Sequence, residues 1–307
     1  MTSSKIETPD SVALVVLPRT GDIGGFEVKR ALPSQGKRMV GPFVFWDQMG
    51  PGTFGAGQGL DVRPHPHIGL STVTYLFRGS MAHKDSLGND LVIQPGQVNL
   101  MTAGKGIVHS ERSDPDSRAV PSELYGIQSW LALPKDQAEC DPAFDHYPAS
   151  DIPKKAEKGV SITQIMGSAF GLTSPVKMAH PTLYAETLLE KDAWLELAPD
   201  YAERALYIVE GEIEIDGTVF GESQLVVLKE GESITYTAIS DAHVMVLGGD
   251  TMDGPRLLWW NYVGTSKDRI RQAAIDWEAG RFPTVPSDDE EFIPLPDLGP
   301  LEAMKDL

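Results

Sequence analysis

Four residues offer most of the chemistry in this chain: His65, His67, His109 and Glu111, arranged as two pairs in which one residue separates two potential metal ligands. On a β-strand, side chains at i and i+2 point to the same face, so each pair, if strand-borne, projects two donors in one direction. Three imidazoles and one carboxylate on converging strands make a mixed nitrogen and oxygen shell with coordination positions to spare. Such a set suits Fe(II), Mn(II), Ni(II) or Zn(II), and open positions imply chemistry rather than structural clamping. The competing reading is a set of ordinary polar residues near turns. The segments around the four residues argue against it.

The first segment runs from Gly59 through HPH at 65–67 to Gly79, and the second is MTAGKGIVHSE at 101–111. Together they resemble the two cupin motifs. Gly59, His65, His67 and Gly79 fall at the cupin spacing, and Gly106 and His109 keep the Gly-x-x-His of the second motif. Three positions depart from the common pattern: Thr72 stands where cupins carry a glutamate ligand, Gly104 where they carry proline, and Ser113 where they carry asparagine. Glu111 then supplies the carboxylate that Thr72 cannot. This exchange, with GPFVFWD at 41–47 and SMAHKDSLG at 80–88, resembles the pirin branch of the cupins, closely over residues 12–135 and more loosely to about 282. The resemblance implies an all-β bicupin of two jelly-roll barrels with a C-terminal helix. It also implies one Fe2+ per chain on His65, His67, His109 and Glu111, other divalent transition metals being acceptable to the same donors.

Composition sets outer bounds. The chain has 307 residues, enough for two ordinary domains or one large β structure. Its net charge of −18 opposes contact with nucleic acid phosphates and anionic membranes, so no direct nucleic acid binding and no membrane association are expected. The single cysteine, Cys140, cannot form an intrachain disulfide, and a lone cysteine is more often inert than reactive. Without an apolar leader or a membrane-length apolar run, a cytoplasmic location is expected.

Strand signals dominate the first half. Residues 12–17 form a short apolar run, 26–31 alternate, and 43–46 read as a core strand. The glycines at 52, 55, 57 and 59 predict a mobile loop, a candidate lid over the metal. Further strands are expected at 71–77, 91–93, 98–101 and 127–133, before a polar connection that places a domain boundary near 136. This gives an N-terminal metal-binding cupin over 1–136 and a metal-free cupin-like domain over 137–307. Within the latter, YIVEG at 207–211 echoes YLFRG at 75–79. The same offset carries His65 and His67 onto Leu197 and Pro199, so duplication followed by loss of the site is expected, with residues 239–243 paralleling the second motif.

One helix is expected from Ser266 as N-cap to Gly280 as terminator, with Ile270, Ala273, Ala274 and Trp277 at helical spacing. Beyond it, five prolines (283, 286, 294, 296, 300) and the acidic run 288–291 read as an extended, solvated tail, with docking of a partner as the sharper alternative. His83, between the ligand pairs, is a candidate for hydrogen bonding near the metal, whereas His146, His180 and His243 read as surface or locally bonded. Met49, Met81 and Met101, with Gln58, Asn99 and Ser110, are candidate pocket lining, and Trp259 and Trp260 read as core.

Two function classes follow from the resemblance. In the enzyme reading, the iron takes a small aromatic or enolic substrate and O2, giving 2,3-dioxygenation of a flavonol such as quercetin, with Glu111 doubling as the catalytic base. In the alternative, the iron is a redox sensor that alters the surface offered to a protein partner, a transcription factor or a metabolic enzyme. The reading leans toward the enzyme.

Overall fold

The computed structural model describes residues 8–23 and 25–297. Their contacts divide into two compact units, each assembled from separate stretches of chain. The histidine-bearing unit comprises Thr20–Pro33, Phe43–Ala149 and the described residues from Met252 onward. The other comprises the described residues up to Arg19, then Ser34–Pro42 and Ser150–Thr251. The contacts therefore interleave, in contrast to a contiguous division at 136: the C-terminal helix and tail belong with the histidines.

In the histidine-bearing unit, a seven-stranded sheet runs in the order Ala143–Tyr147, Val98–Thr102, Leu70–Gly79, Ser122–Ala132, Phe43–Phe54, Phe26–Leu32 and Arg19–Ile23. A four-stranded sheet runs Asp61–His67, Ile107–Arg112, Met81–Asp85 and Asp90–Ile93. Val28, Met49, Leu76 and Leu124 of the first sheet pack with Met81 and Ile93 of the second in one buried apolar cluster. Strand patterning explains the layering: Met81, His83 and Asp85 alternate inward while Ala82 and Lys84 are only partly buried.

The other unit repeats this plan with one seven-stranded and one four-stranded sheet. Strand Trp194–Leu197 takes the edge place that Asp61–His67 has in the first unit, and Ile234–Ala238 takes the place of Ile107–Arg112. Leu197 pairs with Ile234, and both belong to an apolar cluster with Leu183, Leu206, Phe220 and Val226 that fills this barrel. Burying each such side chain is worth about 1.5–3 kcal/mol, so this interior is stabilised as apolar core where the first unit carries histidines. The parallel of the second motif is thus Ile234–Ala238. The expectation at 239–243 fails because His243 lies on Ala242–Gly249, in the larger sheet, paired with Glu186 at 3.0 Å.

Three further expectations change. The glycine-rich segment forms no lid through Phe54, because Gly52, Thr53 and Phe54 stay paired with Leu124, Glu123 and Ser122. Strand Val12–Val16 pairs with Leu225–Leu228, so the first strand of the sequence edges the sheet of the second barrel. The acidic run is only partly solvated, since Asp288 and Glu291 bind Arg112. The helix spans Lys267–Glu278 with the Ser266 hydroxyl accepting from Arg269 N, and it buries Ile270, Ala273 and Ala274. A shorter helix, Pro115–Ala119, is capped by Asp114. No described helix is long and apolar enough to cross a membrane.

Candidate metal centre

The edge strand Asp61–His67 pairs with Ile107–Arg112 so that His65 stands opposite His109 and His67 opposite Ile107. This register puts all three imidazoles on the face turned toward the larger sheet. Their coordinating atoms lie within 4.8 Å of one another, and all three residues are buried. His65 Nδ1 donates to the Arg63 carbonyl at 2.9 Å and His67 Nδ1 donates to the Asn261 carbonyl at 3.0 Å. A carbonyl can only accept, so Nδ1 carries the proton in each ring and Nε2 is left bare. His67 Nε2 lies 3.1 Å from His109 Nε2 and accepts its proton in a hydrogen bond, and His109 Nδ1 is buried with no partner among the described residues.

Burial, reinforced by the neighbouring imidazoles, holds His67 and His109 well below the usual histidine range. Burial likewise lowers His65 to about 4, against the opposing pull of the Arg63 carbonyl. Neutral rings with converging nitrogens are the state a divalent transition ion requires, and Nδ1–H bonds to carbonyls are the usual support for metal-bound histidine. These residues fit a metal of the Fe(II), Ni(II) or Zn(II) type.

Gly104 explains one departure from the common motif. Its φ is +50°, and a Cβ there would sit 2.1 Å from the Cys140 carbonyl oxygen. Glycine is required on both counts.

Glu111 lies outside the three-histidine cluster but shares the strand of His109, opposite His83. A bulge interrupts its pairing with the His65 strand between His109 and Glu111. Burial pushes the carboxyl up to about 7, opposed by a 2.9 Å hydrogen bond from Gln128 Nε2 to Oε1. Gln128 is fixed in turn by the Thr74 hydroxyl, which donates to its Oε1 at 2.7 Å. Gln128 was not singled out from sequence. Its only signal is the i+2 spacing from Trp130, whose ring meets that of His67 at 5.0 Å.

His83 does approach the cluster. Its ring lies 5.3 Å from that of His109, stacks on Phe144 at 4.6 Å, and donates from Nε2 to Asp85 at 3.1 Å. Asp85 is buried, which alone would raise its carboxyl, yet bonds from His83 and Asn89 hold it below the usual value. Other lining candidates belong elsewhere. Met49 and Met81 sit in the apolar cluster that joins the two sheets, Gln58 caps its own turn by accepting from Gly55 N, and Asn99 binds His146.

A seven-stranded and a four-stranded sheet in each of two units, with a buried three-histidine cluster in one, define a bicupin with a metal-binding centre. The Pirin family model matches residues 25–131 and the Pirin C-terminal cupin domain model matches 184–283. A pirin-like protein of Caulobacter vibrioides is 46% identical over 289 residues, covering 93% of this chain and all of that one. A Pseudomonas aeruginosa protein provisionally named a quercetin 2,3-dioxygenase is 41% identical, over 86% of this chain and 83% of its own. Among solved structures, a quercetin 2,3-dioxygenase from Acinetobacter baumannii superposes with a TM-score of 0.86 at 36% identity, covering 93% of this chain and 95% of that one. The chain belongs to the pirin family.

Proposed function

We propose that this protein is an iron-dependent dioxygenase of the pirin type acting on a flavonol such as quercetin, with O2 inserted across the 2,3-bond. The observation that carries the reading is the convergence of three buried imidazoles, held below the usual histidine range, whose coordinating atoms lie within 4.8 Å of one another. Similarity to the Pseudomonas and Acinetobacter proteins supports the choice of reaction. Three nitrogens and one carboxylate with open positions suit Fe(II) over structural zinc. A bound ferrous ion would supply Lewis acidity toward a substrate oxygen and electrons toward O2.

The protein's own part is positional. His65 and His67 enter in a tautomer already fixed by their carbonyl partners. Gln128 restrains Glu111 through Oε1, which leaves Oε2 to complete the metal shell or to receive the proton of a substrate hydroxyl. A carboxyl raised by burial is a stronger base than an exposed one, which suits that task near neutral pH. Trp130 gives the cluster an apolar neighbour at His67, and Phe144 covers His83 beside it, which limits access of water. Cytoplasmic residence fits the composition.

Anaerobic loading with Fe(II), followed by O2 uptake and carbon monoxide release with a panel of flavonols and catechols, tests the proposal. Turnover with a flavonol, abolished by His67→Ala, is the expected outcome. Full iron occupancy with no uptake for any substrate would discard the dioxygenase and leave the redox-sensing regulator with a protein partner.

A further inference from the structure

The partner of His67 Nδ1 comes from 194 residues further along the chain. Asn261 lies in a two-residue turn between strands Leu257–Trp259 and Tyr262–Gly264, with Trp259 paired to Tyr262. The first residue of that turn, Trp260, has φ +53°. Hairpin turns of two residues favour glycine, asparagine or aspartate at that place, and a bulky aromatic there is strained. The hairpin is also fastened to the chain just after His67. Val263 N donates to the Ile68 carbonyl at 3.1 Å, Ile68 bridges Tyr262, and a Cβ on Gly69 would sit 2.1 Å from the Val263 carbonyl oxygen.

We propose that the Trp260–Asn261 turn is a positioning element of the metal centre, its strained conformation aiming the Asn261 carbonyl at His67 Nδ1. The Trp260 ring packs against Tyr262, with centroids 5.4 Å apart, while the turn itself is set by the backbone pairing of Trp259 with Tyr262. The carbonyl fixes the ring orientation and keeps Nε2 free of a proton, which raises its affinity for a metal. The inference rests on the three-histidine site taking a divalent metal and is independent of which reaction follows.

Two substitutions remove the same side chain but differ in backbone preference. Trp260→Gly tolerates positive φ and keeps the turn, whereas Trp260→Val, β-branched, resists it. Zn2+ affinity measured by competition with a chelating dye should stay within about threefold of the parent in Trp260→Gly and fall about 10–100-fold in Trp260→Val, the range for loss of an outer-shell partner. In zinc-loaded protein with 15N-labelled histidine, the His67 Nδ1–H resonance should be present and slow to exchange in the parent and in Trp260→Gly, and absent or fast in Trp260→Val. Equal affinity in the two variants, whether both parental or both weakened, would overturn the inference. Should Trp260→Val not fold, the parent resonance decides: fast exchange of that proton with solvent would overturn the inference and slow exchange would support it. A parent that takes no Zn2+ would refute the metal site itself, a separate failure.

Discussion

At the scale of single residues, the centre is three imidazoles that burial holds below the usual histidine range, beside a carboxyl that burial raises. His65 is depressed to about 4, His67 and His109 are held well below the usual range and Glu111 is raised to about 7, so near pH 6 the rings are neutral while Glu111 holds its proton. If Glu111 ligates, metal uptake at about pH 6 should release about one proton per ion; if the histidines act alone it should release almost none. Calorimetry in buffers of different ionisation enthalpy reads this directly, and Glu111→Gln should abolish the release. The sign for folding is the reverse of an ordinary carboxylate. Because the folded metal-free protein binds the Glu111 proton more tightly than the unfolded chain, its stability declines as pH rises from 4.5 toward 7. Loss of a ligand is harsher: His109→Ala should cost more than the roughly 100-fold upper end of outer-shell changes, read as metal affinity. The His65/His67 pair and His109 were legible in sequence, the pair because strand alternation converts i, i+2 spacing into a shared face, whereas Glu111, read as the fourth ligand, lies outside the three-histidine cluster. Gln128 and Asn261 were not legible, since their contacts span 17 and 194 residues and leave no local pattern.

At the scale of elements, the ligand-bearing strands are held from outside by the tail. Ile293 N donates to the carbonyl of Pro64, next to His65, and Arg112, three residues after His109, binds Asp288 through two bonds of 2.8 and 2.9 Å and Glu291 at 2.9 Å. Arg112→Met should destabilise the protein by about 1–2 kcal/mol, discounted for partial exposure of these charges, and should speed exchange of the Ile293 amide. Burial alone would raise Asp288, but the Arg112 guanidinium holds its carboxyl below the usual range. Its contribution is therefore complete above the ordinary carboxylate range near pH 4 and is lost as pH falls through the lower folded value. Arg112→Met should flatten this acid limb in a plot of Tm against pH; an unchanged limb would show that the pairing carries no stability. The tail reading failed for a physical reason. Composition reports what a segment can do in water, and nothing in an acidic, proline-rich run reveals the guanidinium waiting for it. Gly52 misled in the same way, because pairing of 52–54 with 122–124 satisfies the backbone that its flexibility appeared to free. The helix at 267–278 was readable, since its cap, apolar stripe and terminating Gly280 are all local.

At the scale of the whole molecule, two barrels of one plan have diverged so that one keeps donors where the other keeps core. His180, bound to the Asp250 carbonyl, and His243, paired with Glu186, serve the second barrel locally. His180→Ala and His243→Ala should therefore leave metal content near parental by elemental analysis, and a loss of half or more in either would contradict the division of roles. A fragment ending at residue 136 should not fold into a metal-binding unit, because it lacks the edge strand Ala143–Tyr147, the Asn261 carbonyl and the tail contact at Pro64. The duplication itself was legible from the echo of 75–79 in 207–211, but the interleaving was not, since strand partners such as Val12–Val16 and Leu225–Leu228 are set by tertiary pairing. The most direct test of the account is an anomalous difference map at the iron edge from crystals of protein loaded with Fe(II) under anaerobic conditions. The account predicts one peak per chain, within bonding distance of Nε2 of His65, His67 and His109. A peak in the second barrel, or iron bound with these three atoms left free, would contradict it.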